Sequence, residues 1–418
     1  AEDGIRDPLW SRGLGDVYKR QGLVCPGRLA PQHRPEGRRA DVYSCLKDSI
    51  GTSYIDPEAE DGVGTITLIS SLRRGMLRGF KFRGDEGVSP FPAPQVASIR
   101  QKLSDLQHKA HLPHDLLIKE RQPFFLSLLA TFGTRLKDGG EKLCTTIHRD
   151  GGVPLGVEEE LPSLAPHYPE DKQAPDPDLE PVINPDLTNY ASHTEHARDI
   201  LKTCEEEIEL GMTSGPHPEK EATAMLGGKK PVKLPLGVRI EADKLRSIQD
   251  GSAPGLTFFI QTHCKVRIPL PGIQDSRQIL AIARRDNIPI GLLKADYSKA
   301  HRRIPILEKD WVYLAVCIMS LIWLNLVGTY GVASAQYYWG QMAGYILRLL
   351  YHISTGDRTS PHFWRWLIIY VDDLLAFLHL RVFWEEATLI LVFLEAIGAP
   401  LNWKKVHIGL HNVFVGFH

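Results

Sequence analysis

The chain has 418 residues, 43% hydrophobic and 24% charged, with 49 Lys and Arg against 50 Asp and Glu for a net charge of -1. This balance excludes a wholly disordered, collagen-like or supercharged chain and leaves room for two or three domains with cores of their own. It supplies no global attraction to nucleic acid or an anionic membrane, so a polyanionic partner has to be met by a local patch.

The opening segment, residues 1–21, carries charge throughout and lacks the apolar stretch of a signal peptide. Its ending, GLGDVYKRQ, is that of translated sequencing-adapter read-through, so these residues are set apart as non-native. Residues 22–150 form an N-terminal region, rich in Gly, Arg and Pro up to about residue 90. Beyond it, the spacing of Ile99, Leu103 and Leu106 and the apolar residues from Leu116 to Phe132 predict two or three amphipathic helices over about 96–136. Pro113 and Pro123 break them, which suggests a small helical domain. Gly151 to Asp186 contains nine acidic residues and eight prolines, so 151–190 is expected to be an acidic, Pro-rich linker that cannot bury enough apolar surface to order itself.

A helix, SHTEHARDILKTCEEEIELGM, should follow, with Ser192 as N-cap, Glu195 as capping-box partner, Gly211 at its end and Glu205 to Glu209 as an exposed face. The rest of the chain alternates apolar β-type runs with one long helix and reads as α+β. Trp311 to Val327 is 17 residues long with only Ser320 and Asn325 clearly polar, at the lower edge of a membrane span. The charged flank HRRIPILEKD and the β-branched and aromatic content suit two buried strands joined near Met319 and Ser320, so no membrane association is expected. Ser334 to Ile353 predicts a helix with Tyr338, Met342, Tyr345 and Leu349 on its core face. The six cysteines show no C-x-x-C pair, so neither a disulfide framework nor a zinc site is indicated, and a reducing intracellular compartment, cytoplasmic or nuclear, is expected.

The chemistry concentrates in WLIIYVDDLLAFL, where Asp372 and Asp373 interrupt an apolar run. Unpartnered buried carboxylates are costly and adjacent ones repel, so a strand–turn–strand hairpin should carry both acids to its tip, where divalent cations can neutralise them. A hard, oxygen-preferring ion such as Mg2+ is the natural partner. Asp296 similarly ends the apolar run of IGLLKADYSKAHRRIPI. Two metals about 4 Å apart need bridging acids, here Asp296 and Asp372, to stabilise the attacking and leaving oxygens of a phosphoryl displacement.

At these residues a family resemblance becomes specific. Tyr370, Val371, Asp372 and Asp373 resemble the Y-x-D-D box of reverse transcriptases, and LLKADYSKAHRRIPI is similar to the box with the first catalytic aspartate. GTYGVASAQYYWGQMAG resembles the F-G-L-S-S-A-P segment, with Gly331 in its glycine slot and Gln336 where proline is common. LEAIGAPLNWKKVHIG resembles the region that places a lysine, Lys404 or Lys405, near the incoming phosphates. NVFVGFH resembles the start of the primer-gripping turn, and GVRIEADKLRSIQDGS the strand pair carrying triphosphate-binding cations.

The resemblance implies an RNA-directed DNA polymerase of a retrotransposon-like element, with right-hand fingers and palm and an antiparallel palm sheet over 191–418. A partly helical, partly disordered N-terminal region precedes it, and the chain stops at His418 before a thumb. It implies Asp296, Asp372 and Asp373 as catalytic, these with Tyr297 at two Mg2+ ions (Mn2+ being a substitute), and Lys244, Arg246, His301, Gly331 and Lys405 at the nucleotide. His301 stands where the family has a bulky aromatic beneath the sugar. Tyr370, Gly416 and Phe417 fall on primer and template, RNA or DNA, with dNTPs as substrates. The alternative is a catalytically inactive remnant that binds nucleic acid or only folds.

Overall fold

The structure, a computed structural model, describes residues 87–162, 170–171, 182–240, 245–264, 266–267, 270–353 and 364–410. Helix α1 (Ala93–Lys109) begins behind Pro92, where a missing N–H costs nothing, and buries Val96, Ile99 and Leu103 at three- and four-residue spacing. Leu112 to Phe125, with both prolines, is non-helical, and α2 (Leu126–Leu136) and α3 (Glu141–Asp150) follow. The apolar residues of all three helices join the same core as the rest of the chain.

The first residues of the expected linker are packed against the core. Val153 and Leu155 are fully buried; the Val153 N–H donates to the Pro305 carbonyl at 2.9 Å and the Leu155 N–H to Asp310 Oδ2 at 2.8 Å. Averaging the composition hid the local alternation of Val153, Leu155 and Val157, which makes 151–162 a packed strap. Residues 163–169 and 172–181 lie outside the described residues. Between them β1 (Glu170–Asp171) pairs with β5 (Val266–Arg267).

The predicted single helix is two, α4 (Ala191–Glu195) and α5 (Ala197–Glu209), which break at His196, and the Ser192 hydroxyl accepts the Val238 N–H at 3.1 Å instead of capping its own helix. Gly211, at φ +66°, ends α5 as expected. Then come β2 (Thr213–His217), α6 (Glu219–Met225) and the antiparallel hairpin of β3 (Leu236–Ile240) with β4 (Leu245–Gln249). Helices α7 (Leu256–His263) and α8 (Ile273–Arg285) lead to β6 (Ile290–Asp296).

The apolar run from Trp311 contains β7 (Ala315–Ile318) and β8 (Leu321–Asn325), joined by Met319 and Ser320, both at positive φ. It is a two-residue hairpin whose twist matches its strands. Strand β8 also pairs with β2. No helix among the described residues is long and apolar enough to cross a membrane. Helix α9 (Ala333–Ile353) buries Tyr338, Met342, Tyr345 and Leu349 as core.

Strands β9 (Arg365–Tyr370) and β10 (Asp373–His379), helix α10 (Phe383–Ala396) and β11 (His407–Gly409) complete the described chain. The four-stranded antiparallel sheet has the order β11-β6-β10-β9. Alternation along β10 sends Leu374, Ala376 and Leu378 into the main core with α9 and α10, and Leu375 and Phe377 into a second cluster with Ile279 of α8. The sheet is therefore covered on both faces, and its two strand aspartates, Asp296 and Asp373, lie at one end. Among the described cysteines, Cys144, Cys204, Cys264 and Cys317 are free thiols.

Candidate active site

Register brings the acids together. Strand β10 lies between β6 and β9, and Asp373 faces Asp296 on one side and Tyr370 on the other. Directly opposed residues share a face of an antiparallel pair, so Asp296 and Asp373 are cross-strand neighbours. The turn between β9 and β10 consists of Val371 and Asp372, and Asp373 begins the return strand. Val371 has φ +54°, a left-handed conformation that a β-branched side chain rarely adopts. Neighbours hold it there: the indole N–H of the buried Trp339 donates to the Val371 carbonyl at 2.7 Å, and the Tyr297 N–H donates to the Asp372 carbonyl at 2.8 Å. The Asp296 carbonyl accepts from the Asn402 N–H at 2.8 Å, so both aspartate-bearing segments are tied by backbone.

Two lysines answer three carboxylates. Lys405 Nζ lies 2.7 Å from Oδ2 of the buried Asp296, and Lys294 Nζ lies 3.2 Å from Asp373 Oδ1. Burial, reinforced by the neighbouring Asp296 and Asp373 charges, pushes the Asp372 carboxyl up to about 6. Burial also raises Asp373, an effect that Lys294 opposes. Burial alone would lower the Lys405 ammonium, but its contact with Asp296 and the field of the other two acids hold it above its ordinary value. The cluster carries one more negative than positive group, and its donors are all oxygen. Among the described residues no group of three or more His, Cys, Asp and Glu is arranged to hold a metal ion by itself. A hard divalent cation here would take most of its oxygen ligands from elsewhere.

The other expected residues are spread more widely. Tyr297 turns its ring into the core, 1% exposed and edge-on to Trp339 at 5.3 Å, so only its main chain borders the acids. His301 sits on the 3-10 turn Ala300–Arg303 with its ring 5.3 Å from that of Tyr330, and burial holds its imidazole down to about 4, hence neutral at pH 7. Gly331 was expected to let template or nucleotide approach. Its main chain lies against the Gln249 carbonyl of β4, which a Cβ on Gly331 would meet at 1.9 Å. Arg246 is exposed on β4 and Tyr370 half-buried at the end of β9. Lys244, Gly416 and Phe417 lie outside the described residues. Lys229, Lys230 and Lys233, upstream of β3, are engaged by Glu158, Asp186 and Glu219.

One feature escaped the sequence reading. Glu207, in the run taken as an exposed face, is buried in an ion pair with Arg302 and Lys299. Those cations overcome the upward pull of burial and hold its carboxyl below the ordinary range. No local pattern announces this contact, which joins residues 95 apart. Lys294 was legible: on a strand ending at Asp296, the position two residues earlier projects from the same face.

No protein-family model matches the chain, and no curated protein does. Among solved structures the chain is similar to the native prototype foamy virus protease–reverse transcriptase, with a TM-score of 0.34 and 12% identity over 58% of this chain and 28% of that one. It is also similar to a foamy viral protease–reverse transcriptase dRH in complex with double-stranded DNA, with a TM-score of 0.40 and 14% identity over 73% of this chain and 47% of that one.

Proposed function

We propose that this chain is the fingers and palm of a retroelement RNA-directed DNA polymerase that joins dNTPs to a primer 3'-OH on an RNA or DNA template. The observation that carries the reading is the register of Asp296 against Asp373 with Asp372 in the adjoining turn, at one end of an antiparallel sheet. Asp296 and Asp372 would hold two Mg2+ ions, or Mn2+ in their place, beside the Tyr297 main chain. Bound there, the ions supply Lewis-acid activation of the primer hydroxyl and neutralise the triphosphate.

The protein's own groups account for the rest. Asp373, paired with Lys294, contributes negative field without having to bridge. Lys405 lies on the Asp296 side of the cluster, placed to exchange that carboxylate for phosphate oxygens as the 3'-oxygen attacks the α-phosphorus and pyrophosphate departs. Lys244 and Arg246 would bind the β- and γ-phosphates, Arg by its planar fork. The neutral His301 ring would border the sugar, with Gly331 setting the turn beside it. Tyr370 and, beyond the described residues, Gly416 and Phe417 would face the primer. Contacts to the duplex run through its backbone, which makes binding salt-sensitive and indifferent to sequence.

Primer extension on poly-rA with oligo-dT and Mg2+ tests this. The intact chain should extend the primer, and Asp372→Asn should reduce product to background. No product from either chain, with duplex binding retained, would mark a catalytically silent remnant.

A further inference from the structure

A second polar cluster lies beneath the acids, centred on Arg302. This arginine follows Asp296 by six residues and is 2% exposed. One guanidinium nitrogen donates to Asn325 Oδ1 at 2.7 Å. The other donates to Thr213 Oγ1 at 2.9 Å and to Glu207 Oε2. Lys299 Nζ donates to the second Glu207 oxygen at 3.3 Å. The turn after the β6 aspartate is thus fastened to α5, β2 and β8 by a single side chain.

The fastening continues outward. Asn325 Nδ2 donates to the Leu314 carbonyl at 2.8 Å and to Gln249 Oε1 at 3.2 Å, and Gln249 Nε2 returns a 3.5 Å contact to Asn325 Oδ1. Gln249 is the last residue of β4, and its carbonyl abuts the Gly331 main chain. The base of the β3–β4 hairpin is therefore gripped through the Gln249 side chain from β8 and through its main chain from the turn before α9. Arginine suits the centre because a planar fork can serve three acceptors at fixed angles, whereas a lysine is one point charge on a flexible stem.

We infer that Arg302, acting through Asn325 and Gln249, is a positioning residue that fixes the base of the β3–β4 hairpin relative to the Asp296 strand and so sets the affinity for the nucleoside triphosphate. This rests on the polymerase reading for its substrate, while the mechanical part stands on the hydrogen bonds alone. A grip on the hairpin base acts on where Arg246 of β4 meets the phosphates, so its loss weakens nucleotide binding more than the chemical step.

Gln249→Met is the cleaner test, because it cuts the link to Asn325 while leaving volume and the Arg302–Glu207 pair in place; Arg302→Lys is the companion. In Gln249→Met, hydrogen exchange of the Val238 to Ser247 amides should quicken about tenfold, with the amides of β6 and β10 unchanged. The dNTP KM should rise about tenfold with kcat within about twofold of the parent and primer–template affinity unaltered. Unchanged hairpin exchange, or exchange that quickens equally in β6 and β10, overturns the inference, as does a fall in kcat without a rise in KM. If the parent chain extends no primer, the polymerase reading fails, and hairpin exchange alone still decides whether the grip exists.

Discussion

Each of the two lysines at the acid cluster pairs with a carboxylate other than Asp372. The Asp372 carboxyl, at about 6 against an ordinary 3.8, therefore holds its proton more tightly in the folded chain than in the unfolded one. Its contribution to stability is fully present below pH 3.8 and is lost as pH rises through about 6. In metal-free protein at pH 7, Asp372→Asn should be more stable than the parent by about 1–3 kcal/mol, and the two should converge near pH 4, as read by urea unfolding. Mg2+ should stabilise the parent and not the variant. Equal stability of the two at both pH values would contradict a strained Asp372.

The turns record which backbone conformations the sequence had to accept. Gly331 combines φ +91° with a neighbouring carbonyl that cannot move aside, whereas Gly227, at φ +65°, has nothing within 4 Å of its missing Cβ. Gly331→Ala should cost about 2–4 kcal/mol and Gly227→Ala about 1 kcal/mol, measured by chemical denaturation. Sequence reading found the β7–β8 and β9–β10 hairpins because strand alternation and turn position are local properties. It misplaced the Ser192 cap and did not foresee the Gln249 carbonyl against Gly331, because the deciding partners, Val238 and Gln249, are distant in the chain. The site divides in the same way: the three aspartates announce themselves by interrupting apolar runs, while Arg302 looks like any surface arginine until Glu207 and Asn325 are placed around it.

At the scale of the whole molecule, the N-terminal helices are fastened to the core they share with α9 and α10. Arg348 of α9 makes a two-pronged, largely buried pair with Asp138 between α2 and α3, and the Tyr345 hydroxyl donates to the Leu129 carbonyl. Arg348→Met would take the guanidinium from the largely buried Asp138 carboxylate, leaving it the Gly140 N–H, and should cost about 3–5 kcal/mol in a thermal or urea melt. Helical and aromatic signals should still be lost in one transition; a separate early transition would show that α1 to α3 melt alone. The amphipathic spacing of these helices was legible, but their partners were not, because Asp138 and Arg348 are 210 residues apart.

The same wiring has a consequence for biosynthesis. Arg100 of α1 donates to the Ala396 carbonyl, 296 residues downstream, at 2.8 Å. At about 5–20 residues per second a ribosome takes roughly 15–60 s to deliver that partner. Through that interval the face of α1 that packs against α10 stays uncovered, so it should be open to holding chaperones and proteases until residue 396 has emerged.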